Sequence, residues 1–227
     1  MRRFVQFLVI ISMLFTAIPA FAQELRAGVT FQSWFTRYER TVGATEISGS
    51  SLMFGPTLTM EYDNYYTSAS YATTTSDYTF DAGGGESFTG KKKDLELVLG
   101  YHLGDNVSLH TGWKHDVLEL ESSGGPQFSG EVTTSGPALG VTGHVPVGDF
   151  GVTVVGDFTV MYLETRTELG SVSEKDNRNG YSMQLGANYR ATQRFSASAG
   201  YTHQIYVADE GDDTVFSGVY FTFGFGI

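Results

Sequence analysis

No cysteine occurs among the 227 residues. Its absence excludes disulfide staples, thiolate metal sites and thiol redox chemistry, although it names no compartment. Charge is sparse as well: Asp, Glu, Lys and Arg make up 17% of the chain, and the balance is acidic, with 14 basic against 25 acidic side chains. Such a chain is a poor ligand for a phosphate backbone, so nucleic acid is not expected as a partner. Beyond residue 23, no apolar run approaches the roughly twenty residues that a membrane helix needs, and no stretch holds a convincing 3.6-residue period. Zinc spacings and redox motifs are missing too. Gly83-Gly84-Gly85 and Gly124-Gly125 lack the strand-to-helix setting of a nucleotide fingerprint. No cofactor and no metal are therefore expected.

The N-terminus carries the first positive signal. Met1-Arg2-Arg3 is a short basic segment, Phe4 to Phe15 is almost unbroken apolar sequence, and Ala20-Phe21-Ala22 is an A-x-A cleavage signature before Gln23. This pattern predicts a secretory signal peptide over residues 1–22, removed to leave one domain over 23–227. The apolar run is too short to serve comfortably as a membrane anchor. Losing Arg2 and Arg3 leaves 12 basic against 25 acidic residues, a net charge of −13.

After the leader the recurring period is two, the signature of strands. In Leu25 to Arg37, the residues Leu25, Ala27, Val29, Phe31 and Phe35 alternate with Arg26, Gly28, Thr30, Gln32 and Trp34. Similar segments run over Leu52 to Tyr62, Tyr65 to Thr75, Asp94 to Leu103, Val107 to Val117, Ser135 to Val145, Gly151 to Arg166, Gly180 to Arg190, Phe195 to Val207 and Thr214 to Ile227. That is about ten strands of roughly 10–13 residues, the length of a tilted membrane-spanning strand. Short turns near 63–64, 104–106, 146–149 and 191–194 alternate with longer polar connections near 39–50, 76–93, 122–132, 167–179 and 208–213. An even strand number places both termini on the short-turn side. Dissolving the hairpin over 65–93 into loop gives eight strands as the alternative.

A soluble β-sandwich shows the same alternation, so the aromatics and charges must decide. Tyr62, Tyr65, Tyr101, Phe150, Tyr189, Phe195 and Phe225 cluster by the short turns; Phe35, Tyr38, Tyr71, Trp113, Tyr162, Tyr181 and Tyr206 cluster by the long connections. Two aromatic belts with aliphatics between them fit the two interfaces of a bilayer. The opposite face carries Arg26, Glu61, Asp94, Glu96, His102, His110, Lys114, Asp116, Asp157, Arg166 and Arg190 among Gly, Ser and Thr. A dry soluble core cannot hold so many charges; a barrel lumen can. The expected fold is all-β: one antiparallel up-and-down transmembrane barrel.

With its signal peptide, its amphipathic hairpins and its terminal Tyr220-Phe221-Thr222-Phe223-Gly224-Phe225-Gly226-Ile227, the chain resembles bacterial outer-membrane β-barrels of the small OmpA/OmpX-like or opacity-porin type. The resemblance implies export through the periplasm, an outer-membrane location and periplasmic termini. Implied partners are outer-membrane lipid and lipopolysaccharide, with periplasmic chaperones and the barrel-assembly machinery during biogenesis. In that superfamily the last strand is the assembly signal, which maps here onto Tyr220, Phe221, Phe223, Phe225 and Ile227. Such signals usually end on Phe or Trp; this one ends on Ile.

Each candidate site has two readings. The lumenal charges either line a narrow solute path or form a packed plug; about ten strands enclose little more than a side-chain-filled interior, which favours the plug. Lys91-Lys92-Lys93, with Arg37, Arg40 and Arg178 nearby, either contacts lipopolysaccharide phosphates at the outer rim or belongs to a solvated loop. His102, Ser108 and His110 suggest hydrolase chemistry. The omptin proteases and lipid A deacylases work near the outer leaflet, however, and these histidines fall at the other end. The acidic run Asp209-Glu210-Gly211-Asp212-Asp213 lacks the spacing of a calcium loop and reads as solvated. The expected role is non-enzymatic, in envelope structure or surface interaction. The alternatives are a narrow porin for small solutes or ions and an outer-leaflet enzyme acting on peptides or lipid A.

Overall fold

The computed structural model describes residues 25–42, 45–81, 87–122, 129–170, 172–208 and 213–226. The segment expected to be a signal peptide, the glycine runs at 83–85 and 124–125, most of the acidic 209–213 stretch and Ile227 lie outside the described residues.

Eleven strands follow one another: β1 (Leu25–Val42), β2 (Thr45–Tyr62), β3 (Tyr65–Thr74), β4 (Tyr78–Asp81), β5 (Ser87–His102), β6 (Val107–Ser122), β7 (Ser129–Val147), β8 (Val152–Leu169), β9 (Val172–Arg190), β10 (Phe195–Ala208) and β11 (Thr214–Gly226). Every pairing is antiparallel. β1 pairs with both β2 and β11, and β3 with both β2 and β5, so the sheet closes into a ten-position barrel. Closure satisfies the ladder hydrogen bonds around the wall and leaves no free edge there. The eight-stranded alternative is overturned, because β3 is paired on both sides.

β3 and β4 share the third wall position. Thr73 is opposite Lys93 and Tyr78 is opposite Gly90, so residues 74–77 face only residues 91–92. This bulge inserts two extra residues, an even number, and the inside–outside alternation survives it. Ala72 and Thr74 are on the lumenal side of β3, and Tyr78 and Phe80 on that of β4, both rings fully buried. The bulge is tied down by Thr75 N–H donating to the Leu52 carbonyl at 2.8 Å and by the Ser51 hydroxyl donating to the Ser76 carbonyl.

The short turns lie where the sequence places them. Tyr62 pairs directly with Tyr65, and the intervening Asp63 adopts φ 53°, as a two-residue hairpin turn demands. The long connections do not behave as expected. β1 continues to Val42 and β2 begins at Thr45; β8 continues to Leu169 and β9 begins at Val172. Most strands are therefore 14–19 residues long, and much of what reads as loop is tall hairpin.

The reason is an inversion of the amphipathic pattern. Through most of the barrel's height the outward residues are apolar and exposed: Leu97, Leu99, Leu139, Phe158, Leu185 and Phe223 among them. Near the long-hairpin end the outward residues become Arg37, Lys91, Glu119, Glu131, Glu164 and Lys175, while Tyr38, Phe80, Leu118, Leu163 and Phe216 turn inward and are buried together. A search for apolar outward faces stops at that boundary although the ladder continues.

Candidate functional site: the filled lumen

Inward positions follow strict alternation, so the register decides what meets in the lumen. On β5 these are Lys92, Asp94, Glu96, Val98, Gly100 and His102; on β6 they are Ser108, His110, Lys114, Asp116 and Leu118. The register sets Asp94 directly opposite Asp116. Two like charges in that relation repel. The sequence compensates with a K-x-D arrangement on each strand, Lys92-Lys93-Asp94 and Lys114-His115-Asp116. Because the strands are antiparallel, one lysine lies on either side of the aspartate pair.

The result is a buried ionic quartet. Lys114 Nζ is 2.7 Å from both oxygens of Asp94 and 3.7 Å from Asp116 Oδ1. Lys92 Nζ is 3.0 Å from Asp94 Oδ2 and 3.3 Å from Asp116 Oδ1. The Tyr206 hydroxyl donates to Asp116 Oδ2 from the opposite wall. Glu96 adds a fifth charge, 3.8 Å from Lys114 Nζ. Lys92 is 0% exposed and Lys114 3%, so neither charge is relieved by bulk water. Charges so placed persist only when paired and hydrogen-bonded.

The side of the quartet toward the long hairpins is apolar. Lys92 Nζ lies 4.5 Å from the Phe216 ring centroid and 5.9 Å from that of Trp34, within cation–π range. Around them Trp34, Tyr38, Met53, Tyr78, Phe80, Leu118, Leu163 and Phe216 form a packed cluster across the lumen. Inward glycines make room for the rings: a Cβ on Gly49 or Gly90 would come within 2.8 Å of the Phe80 ring.

Toward the short turns the lumen becomes hydroxyl-rich. His110 Nε2 is 3.1 Å from Thr159 Oγ1, and its Nδ1 is 3.7 Å from Asp157 Oδ2. Asp157 accepts hydrogen bonds from Thr142 at 2.7 Å and Thr159 at 2.9 Å. His102 Nδ1 lies 2.7 Å from Ser108 Oγ, and its ring packs against Tyr66 at 5.0 Å. A cavity of about 130 Å³ separates this layer from the quartet, bounded by Glu96, Lys114, Asp157, Thr159 and Gln184 among others. At the short-turn mouth a wider vestibule of about 650 Å³ is lined by Arg26, Glu61, Arg190 and Arg194.

Of the residues that sequence reasoning places in the lumen, Arg26, Glu61, Asp94, Glu96, His102, His110, Lys114, Asp116, Asp157 and Arg190 are all on inward positions. Arg166 is a correction. Met161, Leu163 and Thr165 are the inward residues of that strand, so Arg166 points outward and pairs with Glu168 at 2.7 Å. Lys92 is the second correction. It shares the parity of Asp94, not of Lys91 and Lys93, and is sealed inside, where no lipopolysaccharide phosphate reaches it. Lys91 and Lys93 do face outward, the former 3.9 Å from Asp77 and the latter bonded to Glu119. Tyr38 and Tyr206 leave the outer aromatic belt for the lumen. The paired K-x-D motifs are the signal by which Lys92 could have been found. On β11, Tyr220 is inward and buried, while Phe221, Phe223 and Phe225 face outward.

A closed antiparallel barrel with an exposed apolar belt and a polar, charged interior is an architecture built for a bilayer. No model of a known protein family matches the chain, and no curated protein matches it in sequence. Solved structures do. The outer-membrane protease OmpT from Escherichia coli superposes with a TM-score of 0.63 at 12% identity, over 90% of this chain and 96% of that one. The fold is that of a bacterial outer-membrane β-barrel. The translocator domain of the autotransporter NalP from Neisseria meningitidis also has this fold, with a TM-score of 0.52 at 12% identity over 97% of both chains. In an outer-membrane barrel, the outward Leu, Val and Phe side chains contact lipid, and the inverted segment beyond them is a collar standing clear of the hydrocarbon.

Proposed function

We propose that the protein is a non-enzymatic, integral outer-membrane barrel with a role in envelope structure or surface interaction, its termini periplasmic and its tall hairpins extracellular. The observation that carries this reading is the blocked lumen. Among the described residues, a charge-paired quartet backed by a packed aromatic cluster lies across the lumen, with a cavity of about 130 Å³ on its short-turn side and one of about 30 Å³ beside Lys92 and Asp116 on the other. Side chains this well packed resist rearrangement, and the quartet itself carries no net charge with which to select ions. The histidines support the same reading. His102 is engaged by Ser108, and His110 by Thr159 and Asp157, so both act as struts of a hydrogen-bonded layer.

Surface contacts fall to the collar. Lys91 and Lys93 are the outward lysines at its base, and their proposed partner is lipopolysaccharide phosphate. Phe221, Phe223 and Phe225, with Tyr220 and Ile227, are proposed as the signal for periplasmic chaperones and the assembly machinery.

The test is single-channel recording in planar bilayers, with folding checked by heat-dependent gel mobility. The expected record is free of steady conductance. Reproducible channels whose size changes when Lys114 or Asp116 is neutralised would overturn the reading in favour of a narrow porin. Altered lipid A or cleaved peptide on expression would overturn it in favour of an outer-leaflet enzyme.

A further inference from the structure

The vestibule at the short-turn mouth has a charge opposite to that of the chain. The whole sequence carries a net charge of −11. Yet among the described residues the vestibule's lining includes three arginines, Arg26, Arg190 and Arg194, and one carboxylate, Glu61. The topology explains the clustering. Arg26 opens β1, Arg190 ends β9 and Arg194 precedes β10; these strands flank β11 in the wall order β1-β11-β10-β9.

Space between the arginines comes from β11 itself. Its last two inward positions are Gly224 and Gly226, opposite Thr30 and Gly28 of β1. Where side chains would otherwise project, the floor is backbone, edged by the hydroxyls of Thr30, Thr59 and Ser196. Arg26 is the register partner of Glu61, but no ion pair within 4.0 Å engages the side chain of Arg26, Arg190 or Arg194 among the described residues. This contrasts with the quartet, where every cation is matched. Among the described residues, a lumen that neutralises its charges so closely at one level and leaves three guanidinium groups without an ion pair around a cavity at another is arranged to receive negative charge from outside.

From this we propose that the vestibule is a binding site for a small, multiply charged oxyanion bearing phosphate or carboxylate groups. Guanidinium groups hold either by paired N–H donors, the hydroxyl rim supplies further donors, and Glu61 accepts from a hydroxyl or amine on the same ligand. A volume of about 650 Å³ suits a molecule of metabolite size. The packed lumen above makes the site a blind pocket, entered from the short-turn side.

Isothermal titration of the folded barrel in non-ionic detergent tests this, using sodium pyrophosphate and sodium citrate as separate probes at constant ionic strength. The expected result is one saturable site for at least one probe, and the tighter probe tells phosphate from carboxylate. The double variant R26Q/R190Q should weaken binding about tenfold or more, as loss of charge-assisted bonds implies. A second variant, Thr59→Trp, keeps every charge and fills the cavity; it should abolish binding. Lys175→Gln, at the far end of the barrel, should leave affinity unchanged. Absence of saturable heat with both probes at millimolar concentration would overturn the proposal, as would undiminished binding in folded R26Q/R190Q or folded Thr59→Trp.

Discussion

Two lengths of the same wall obey opposite rules. In the membrane band, Leu97, Leu139 and Leu185 point outward with exposures of 47%, 60% and 65%, while threonines, glutamines, histidines and the ionic quartet point inward. In the collar, Glu119, Glu164 and Lys175 point outward, while Tyr78, Phe80 and Leu163 are buried inside. The ladders run through the boundary: β8 and β9 stay in one register from Val152↔Tyr189 to Leu169↔Val172. What changes is the medium outside. Lipid requires an apolar exterior and tolerates a polar interior; water requires the reverse. The barrel is an inside-out protein for part of its height and an ordinary soluble one for the rest. The quartet lies by the change-over, with Lys92 against both the aspartates and the aromatic cluster.

This comparison can be broken by substitution. The largest effect is expected at the quartet. Lys114→Met leaves Asp94 and Asp116 with one lysine between them and should cost about 3–5 kcal/mol of unfolding free energy, measured by urea titration in lipid vesicles. Next comes the collar core: Leu163→Ala empties a site that is 0% exposed and should cost about 2–5 kcal/mol. The matching truncation on the lipid face, Leu139→Ala, should cost far less, because fluid acyl chains fill the gap. Equal losses at the two sites would show that the collar has no core of its own. Third, Leu139→Arg should cost about 2–4 kcal/mol if its level is the hydrocarbon midplane. The smallest effects are expected on the collar's outer face, where Glu164→Leu and Lys175→Ala disturb an exposed pair 2.9 Å apart and should each stay within about 0.5 kcal/mol. The two tryptophans aid these measurements, since Trp34 reports from the buried lumen and Trp113 from the exposed exterior.

The fold was largely legible because period-two alternation is a local property. Leu95, Leu97, Leu99 and Tyr101 announce an outward face on β5 wherever that strand ends up. Parity then assigned most of the lumen: Asp94, Glu96, His102, His110, Lys114 and Asp116 are all inward. Arg166 and Lys92 escaped for different reasons. Arg166 belongs to an outward series whose character changes from Val160 and Tyr162 to Glu164, so its charge is no sign of the lumen. Lys92 belongs to a triplet whose composition suggests a surface, while its parity says interior. The upper part of the collar is not legible, since polar outward residues with Gly and Ser nearby look like loop until their pairing is known.

By itself, then, the sequence determined the alternation, the turns, the absence of disulfides and the sidedness of nearly every strand, since each depends on neighbours within a few residues. Only the tertiary structure decided that Asp94 opposes Asp116, that Lys92 and Tyr206 meet between distant strands, and that Arg26, Arg190 and Arg194 ring one cavity. Those are matters of register and closure. A shift of one residue on β5 against β6 would leave every local pattern intact and turn Lys92, Asp94 and Glu96 out of the lumen.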